Sequence, residues 1–253
     1  MLTAAFWGLV QGLTEFLPIS SSGHLVLVPA LLGMEEPDLA TSALLHLGTL
    51  AAVVWYYRRD LMKLLHVRTD PEARLILGLL AVGTIPAAII GLTLDGPIEI
   101  IFDEPKIAAV ALIVTGIILA LGILLAAGHR ELGSGRVRDA VIIGLAQAFA
   151  LIPGISRSGM TITAGMAQGF TRVEAARYAF LLAVPSIAGA GFLEGLDLVR
   201  DGGFEASILV GVAVAAVSGY FAIAFLLRLL TTVGMAPFAV YCVVAGSVAF
   251  FLV

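Results

Sequence analysis

Charge is scarce in this 253-residue chain: Asp, Glu, Lys and Arg make up 13% of it, about half the share of an ordinary soluble domain. Set against 60% hydrophobic residues and a mean hydropathy of +1.07, that scarcity excludes a cytosolic enzyme and a disordered chain. Lysine is nearly absent, Lys63 and Lys106 standing against twelve arginines. A net charge of −4 offers no electrostatic argument for a nucleic-acid partner. Cysteine is represented by Cys242 alone, in an apolar run, which excludes an internal disulfide and a Cys-based metal centre. What the composition allows is one integral membrane domain covering residues 1–253.

A spanning helix needs about 20 apolar residues, because a rise of roughly 1.5 Å per residue must cross about 30 Å of hydrocarbon. Six stretches approach that length: Thr41–Tyr57, Leu75–Leu94, Ile107–Ala127, Ala175–Leu193, Ser207–Leu230 and Ala236–Val253. Two further apolar regions fall short of it. Thr3–Leu17 runs into Pro18 and three serines before Leu25–Leu32 resumes; Ala140–Ile152 runs into Pro153, Gly154 and Ser156–Gly159 before Met160–Gly169. Each reads as two half-helices around a polar break, the pattern of a re-entrant hairpin. A signal peptide is the alternative at the N-terminus, but no basic segment precedes the apolar run, and Gln11 and Glu15 interrupt it.

The chain matches itself at an offset of 136 residues. Gly8–His24 lies over Gly144–Met160 without a gap, and seven of the 17 pairs are identical: Gly8/Gly144, Leu9/Leu145, Gln11/Gln147, Ile19/Ile155, Ser20/Ser156, Ser22/Ser158 and Gly23/Gly159. Shared Gln, Ser and Gly carry more information than shared apolar letters in so apolar a chain. The expected architecture is therefore an all-α membrane protein of six transmembrane helices and two re-entrant helix-break-helix hairpins. Residues 1–127 form a first repeat and residues 139–253 a second, each a hairpin plus three spans. An odd number of spans turns the second repeat upside down.

Charge distribution agrees with that topology. Arg58, Arg59, Lys63, Arg68, Arg74, Arg130, Arg136, Arg138, Arg172, Arg177 and Arg228 fall on one face, and only Lys106 and Arg200 on the other. The crowded face is cytoplasmic by the positive-inside rule. Glu35, Glu36, Asp38, Asp95, Glu99, Asp103, Glu104, Asp197, Asp201 and Glu205 gather on the opposite side. Both termini come out external, with the first hairpin dipping in from outside and the second from the cytoplasm.

A charge at mid-bilayer costs about 2.5–3.5 kcal/mol on insertion scales, so intramembrane ionisable residues read as functional by default. Glu15 and Arg157 are two such residues, one in each break. Gln11 and Glu15, four apart, share a helix face, with Thr14 beside them. A carboxylate and an amide oxygen suit a hard divalent cation, Mg²⁺ or Ca²⁺. Ser20, Ser21 and Ser22 offer hydroxyl nucleophiles, and His24 a group that exchanges protons near neutral pH. The plainer reading has some of these serines merely capping the returning half-helix.

In the second break, Pro153 and Gly154 end one half-helix, and Ser156 and Ser158 cap the next, whose free N–H groups attract anions. Arg157 adds a planar fork suited to phosphate oxygens, and Thr161 a hydroxyl on the same face as Ser158. The competing reading pairs Arg157 with Glu15. His46, among leucines in a span, reads as a core histidine with one hydrogen bond, lining of the pocket being the lesser alternative; His66 and His129 read as solvated. Gln147 repeats Gln11 but has Leu151 where Glu15 stands, and Glu194 reads as a span-end acid reaching for water.

Through Gln11-Gly-Leu-Thr-Glu15, Pro18-Ile-Ser-Ser-Ser-Gly-His24, Pro153-Gly-Ile-Ser-Arg-Ser-Gly-Met-Thr161 and Phe180-Leu-Leu-Ala-Val-Pro185, the whole chain resembles the undecaprenyl-diphosphatase, or bacitracin-resistance, family. The resemblance implies an integral membrane phosphatase that hydrolyses a C55 polyprenyl diphosphate to the monophosphate and inorganic phosphate, recycling the lipid carrier of cell-wall synthesis. It also implies a divalent cation and a site opening to the outer face of the plasma membrane. Glu15, Ser21, His24, Ser156, Arg157 and Thr161 match residues linked to activity in that family. Gln11 stands where many members carry a second Glu, which leaves Glu15 as the main anionic metal ligand.

The mechanism expected on that basis has Arg157, Thr161 and the helix-start N–H groups holding the terminal phosphate. Ser21 attacks it while His24 or Glu15 takes its proton, and Ser20, Ser22, Ser156 and Ser158 line the pocket. Attack by metal-bound water is the competing route. The alternative function is a lipid-phosphate flippase or secondary transporter, since inverted repeats and broken helices also build midplane anion sites. Nothing in the residues argues for or against a homo-oligomer, or fixes the tail length.

Overall fold

The computed structural model describes residues 1–102, 104–124, 128–201 and 207–253, with side chains described except at 39–40, 94–102 and 192–201. Asp95, Glu99, Asp103, Glu194, Asp197, Arg200, Asp201 and Glu205, and the end of the first repeat at 125–127, lie outside that described set.

Proline, glycine and short polar side chains set the helix boundaries. α1 (Leu2–Phe16) stops where Leu17, one residue before Pro18, turns extended. α2 (Ser21–Leu32) starts on Ser20 and ends at Gly33, which takes the left-handed conformation at φ 63°. α3 (Leu39–Tyr56) is capped by Asp38, whose carboxylate accepts the Thr41 N–H at 2.7 Å. A short helix α4 (Arg58–Leu64) follows at once. α5 (Pro71–Phe102) opens on a proline, with the Asp70 carboxylate accepting from Glu72 and Ala73 N–H. α6 (Pro105–Leu124) leads to a single 3₁₀ turn at Leu132–Ser134. Then come α7 (Val137–Phe149), α8 (Arg157–Ala167), α9 (Arg172–Asp201), α10 (Ile208–Thr232) and α11 (Ala236–Leu252). No strand occurs among the described residues; one isolated bridge joins Arg130 and Phe170.

The protein is an all-α, multi-pass membrane bundle. Among the described residues, four helices are long and apolar enough to cross a membrane: Pro71–Thr93, Pro105–Leu124, Arg172–Gly191 and Ile208–Thr232. Thr41–Tyr56 and Ala236–Leu252 are shorter apolar helices. Outward-facing positions carry Ile85, Ile89, Ile117, Leu121, Phe221, Phe225, Val244 and Phe251, all exposed. An apolar belt of this kind is what hydrocarbon solvates and water does not.

Small residues let the half-length helices lie against longer ones. Gly8 of α1 meets the backbone of Gly211 in α10, and further along a Cβ on Gly219 would stand 2.9 Å from the Phe16 ring. Gly144 of α7 meets Gly83 of α5, where an added Cβ would stand 2.5 Å from the Gly83 carbonyl oxygen. Backbones that approach so closely gain dispersion contacts without a hydrophobic driving force. Both half-helices therefore reach only partway along their partners before their chains break.

One end of the bundle is tied by arginines. Arg177 of α9 pairs with Asp60 of α4 and, at 3.2 Å, with Glu174. Arg130 donates to the Gln168 carbonyl at the end of α8 and to Asp139 at the start of α7, both at 2.7 Å. Glu174 accepts the Leu132 N–H at 3.0 Å. These bonds bring the start of α7 and the end of α8 to the same end of the molecule.

Several boundaries differ from the sequence expectation: the helices holding Leu75–Leu94 and Ala175–Leu193 run on to Phe102 and Asp201. The segment 58–64, expected as a basic connection, is helical. The returning half-helices begin earlier than Leu25 and Met160, at Ser21 and Arg157. Ser21, Ser22 and Arg157 thus occupy first turns, where free N–H groups lie.

Candidate active site

The first break is built around strained backbone. Ser20 holds φ 66°, which a residue with a Cβ seldom adopts and which occurs at no other non-glycine residue among those described. Its surroundings compensate: its Oγ accepts the Gly23 N–H at 3.2 Å, and its carbonyl accepts both the N–H and the Nδ1–H of His24, at 3.2 and 2.7 Å. That turn makes Ser21 the first residue of α2 and sends its hydroxyl back to α1, where it donates to Glu15 Oε2 at 2.5 Å. Capping is thus the part played by Ser20. Ser22 Oγ lies 3.3 Å from Ser20 Oγ and accepts the Gly154 N–H at 3.4 Å, reaching the other break.

In the second break Gly154 takes φ 91°. The Thr115 hydroxyl, midway along α6, donates to the Gly154 carbonyl at 2.9 Å and accepts the Ser156 N–H at 3.1 Å. Ser156 Oγ caps α8 by accepting the Gly159 N–H at 3.1 Å. Ser158 Oγ donates to the Leu17 carbonyl at 3.1 Å, a second bond between the breaks. Thr161 Oγ donates back to the Arg157 carbonyl at 2.8 Å. Arg157, as the first residue of α8, extends its guanidinium across to α1.

Glu15 is where the two breaks converge. Arg157 Nη2 donates to Oε1 at 2.7 Å, while Ser21 Oγ and, at 3.1 Å, Gln11 Nε2 donate to Oε2. His46 Nε2 stands 3.7 Å from the same Oε2. Only 7% of Glu15 is exposed. A carboxylate so withdrawn from water costs several kcal/mol unless paired and hydrogen-bonded, and here every oxygen is occupied. Ser21 and Arg157, which overlie one another in the repeat, meet the two different oxygens of one carboxylate. The ion pair between Arg157 and Glu15 is present, and both residues line a small cleft with Phe16, Ser158, Thr161, Ala179, Phe180 and Ala183.

Other candidates are placed differently. Both ring nitrogens of His24 are engaged, Nδ1 by the Ser20 carbonyl and Nε2 by the Tyr241 hydroxyl at 2.7 Å. A neutral ring with its proton on Nδ1 accepts from Tyr241 at Nε2. The hydroxyl of Ser21 is therefore served by Glu15 and not by His24. Gln147 turns to α9, donating to Ser186 Oγ at 3.0 Å. His46, read from sequence as a core histidine with one hydrogen bond or, less favoured, a pocket residue, bonds the Ser42 carbonyl through Nδ1 and turns Nε2 toward the Glu15 carboxylate. Sequence reasoning also missed Thr115 and Tyr241. They lie 39 and 217 positions from their partners Gly154 and His24, and no motif marks either.

Among the described residues no three His, Cys, Asp or Glu side chains gather as a metal cluster. The oxygen donors nearest to such a role are Glu15 and Gln11. Gln11 is fully buried, and its Oε1 has no hydrogen-bond partner among the described residues, beside a carboxylate its own Nε2 contacts. A buried amide oxygen without a partner, on a side chain that touches a carboxylate, is a donor set that suits a hard cation.

Fold and geometry define a polytopic membrane protein in which two interrupted helical segments bring a carboxylate, a guanidinium and a serine hydroxyl together inside the bundle. The family model "Bacitracin resistance protein BacA" matches residues 4–248, and the chain belongs to that family. Among curated relatives, the chain is 45% identical to the undecaprenyl-diphosphatase of Geobacter sulfurreducens, over 98% of this chain and 96% of that protein. The undecaprenyl-diphosphatase of Alcanivorax borkumensis is 46% identical over 94% and 93%, and that of Thermomicrobium roseum 44% over 97% and 95%.

Proposed function

We propose that the chain hydrolyses undecaprenyl (polyprenyl) diphosphate to the monophosphate and inorganic phosphate, recycling a lipid carrier for cell-wall synthesis and so giving bacitracin resistance. The observation that carries this reading is the Ser21–Glu15–Arg157 constellation. It combines a nucleophile hydrogen-bonded to a base with an anion-binding fork on the same carboxylate. The near-full-length identity to proteins named undecaprenyl-diphosphatase supports the substrate.

In the proposed reaction the diphosphate enters from the outer leaflet and leaves its tail in lipid. Arg157 keeps one donor on Glu15 and offers the rest of its five N–H groups to the terminal phosphate. Free N–H groups in the first turn of α8, together with Ser156, Ser158 and Thr161, complete the anion site. Ser21 Oγ attacks the terminal phosphorus in line, passing its proton to Glu15 as the O–P bond forms. The bond from phosphorus to the bridging oxygen breaks, and the prenyl monophosphate leaves with that electron pair and takes the proton from Glu15. Water, deprotonated by Glu15, then cleaves the phosphoserine and restores the hydroxyl. Phosphoryl transfer depends mainly on positioning and charge neutralisation, which this arrangement supplies. Glu15 and Gln11 would hold a divalent cation, Mg²⁺ or Ca²⁺, whose chemistry is neutralisation of phosphate charge. His24, held by Ser20 and Tyr241, steadies the first turn of α2.

The topology proposed with this chemistry is six transmembrane helices and two re-entrant hairpins in inverted repeats, residues 1–127 and 139–253. Reciprocal packing supports it: α1 of the first repeat lies on α10 of the second, and α7 of the second on α5 of the first. The arginine-tied end is read as cytoplasmic, so α1–α2 dip in from outside, the termini are external, and the site of this inner-membrane protein opens outward.

Purified full-length chain in detergent, where no gradient exists, should release inorganic phosphate from prenyl diphosphates, tested at several tail lengths. Lipid-phosphate translocation in vesicles without phosphate release would establish the flippase reading, which the paired broken helices also accommodate.

A further inference from the structure

α3 and α10 run side by side in the same direction, Leu45 against Gly211 and Ala52 against Gly219. On their outward side they leave an apolar groove of about 430 Å³, floored by Ala52 and walled by Trp55, Val217 and Phe221. Ala51 and Ala216 keep it open, since neither side chain is large enough to fill it. That volume lies in the range of ligand clefts, about 300–1,000 Å³. Its walls are mainly hydrocarbon and ring faces, which suit a hydrocarbon chain. The groove shares no lining residue with the cleft at Glu15.

One end of this groove carries positive charge. Arg58, just past the end of α3, folds back over Trp55, its guanidinium carbon 5.0 Å from the ring centroid and its Nη1 donating to the Trp55 carbonyl at 2.9 Å. Most of its five N–H groups stay uncommitted there. The Tyr56 and Tyr220 rings, 5.2 Å apart, set this end of α3 level with Phe221 on α10. Arg228 is exposed further along the face of α10 that carries Val217 and Phe221, because eleven residues past Val217 make three turns with an offset of about 20°. Among the described residues neither Arg58 nor Arg228 forms an ion pair, whereas Arg130, Arg157 and Arg177 each hold an acid. Ordinary lipid would satisfy the apolar walls and leave both guanidinium groups unanswered. An acyl chain joined to an anionic head answers both. We propose that the α3–α10 groove binds an anionic diacyl phospholipid of the phosphatidylglycerol class, one chain along Trp55 and Phe221 and the phosphate between Arg58 and Arg228.

Tryptophan fluorescence reads the site directly. Of the two tryptophans, Trp55 in the groove is 63% exposed and Trp7 only 3%. Purified full-length chain is reconstituted in phosphatidylcholine vesicles containing acyl-brominated phosphatidylglycerol or, in parallel, acyl-brominated phosphatidylcholine, because bromine quenches an indole that it touches. In the wild type the brominated phosphatidylglycerol should bind at Trp55 at least about fivefold more tightly, the worth of one cation beside a charged head. Arg58→Gln with Arg228→Gln should bring the two lipids level, while Arg138→Gln, which removes an exposed charge from α7, should keep the preference. Ala51→Phe fills the groove and should abolish the preference with both arginines intact. Trp55→Phe leaves Trp7 alone and should show no lipid-selective quenching. Equal quenching by the two lipids in the wild type overturns the site. So does a preference that survives the loss of both arginines, the filled groove or Trp55→Phe, or one that Arg138→Gln removes equally. No step of this readout uses turnover, so the lipid site stands or falls separately from the phosphatase reading.

Discussion

Ser21→Ala removes one oxygen and separates covalent catalysis from direct attack by water. Its hydroxyl makes one bond to a charged acceptor, Glu15 Oε2, at 2.5 Å. A hydrogen bond to a charged group contributes about 1.5–3 kcal/mol. If Ser21 merely positioned Glu15 for a water-based reaction, its loss would slow turnover by about 10- to 150-fold. If Ser21 is the nucleophile, no other group replaces it, and the loss should reach about four orders of magnitude or more. Folding should change little, because Glu15 keeps Arg157 and Gln11, and the Ser21 backbone still opens α2. Phosphate release in detergent, with the thermal unfolding midpoint of the same preparation, reads both quantities. A variant that melts within a few degrees of wild type and retains more than about one hundredth of its turnover refutes the covalent route.

Further predictions follow from the same geometry. Thr115→Val keeps the volume of the side chain but strands the Gly154 carbonyl and the Ser156 N–H, both buried; it should cost about 2–4 kcal/mol in unfolding measurements and lower turnover through the second break. Gly154→Ala should destabilise by about 2–4 kcal/mol, since a Cβ at φ 91° would stand 2.5 Å from the Ala108 carbonyl oxygen and 2.6 Å from Ala111 Cβ. Tyr241→Phe removes the bond to His24 Nε2 and should lower kcat by about 2- to 12-fold, the worth of one neutral hydrogen bond, with KM unchanged. Arg157→Lys keeps the charge but loses the fork that serves Glu15 and phosphate together; about a hundredfold loss in kcat/KM is expected, measured by phosphate release.

Much of this was legible in the residues because membrane helices announce themselves by apolar length. The four longest helices coincide with stretches read from composition, and the interrupted segments around Pro18 and Pro153 break where proline and serine say they should. The convergence of Glu15, Ser21 and Arg157 was partly legible, since a charge in an apolar run needs a partner and the repeat aligned Ser21 with Arg157. Helix α4 was not: its four charges in seven residues look like a solvated connection, and its partners, Arg177 for Asp60 117 positions away and the core for Leu61 and Leu64, come from tertiary packing. His46 was left between a core and a pocket reading because a single histidine among leucines has no periodicity that says which neighbour it faces. Thr115 and Tyr241 were invisible for the same reason. Their partners come from tertiary packing of α6 and α11 against the breaks, which no local pattern encodes.

The central claim is that a carboxylate from one half of the chain and a guanidinium from the other act as one unit on a lipid diphosphate. A double-mutant cycle on phosphate release measures that directly, comparing Glu15→Gln, Arg157→Met and the two combined, each checked for folding. Residues that work as a unit lose together, so the double variant should be about as slow as the slower single one. Losses that multiply would mean that Glu15 and Arg157 act independently and would contradict the shared site.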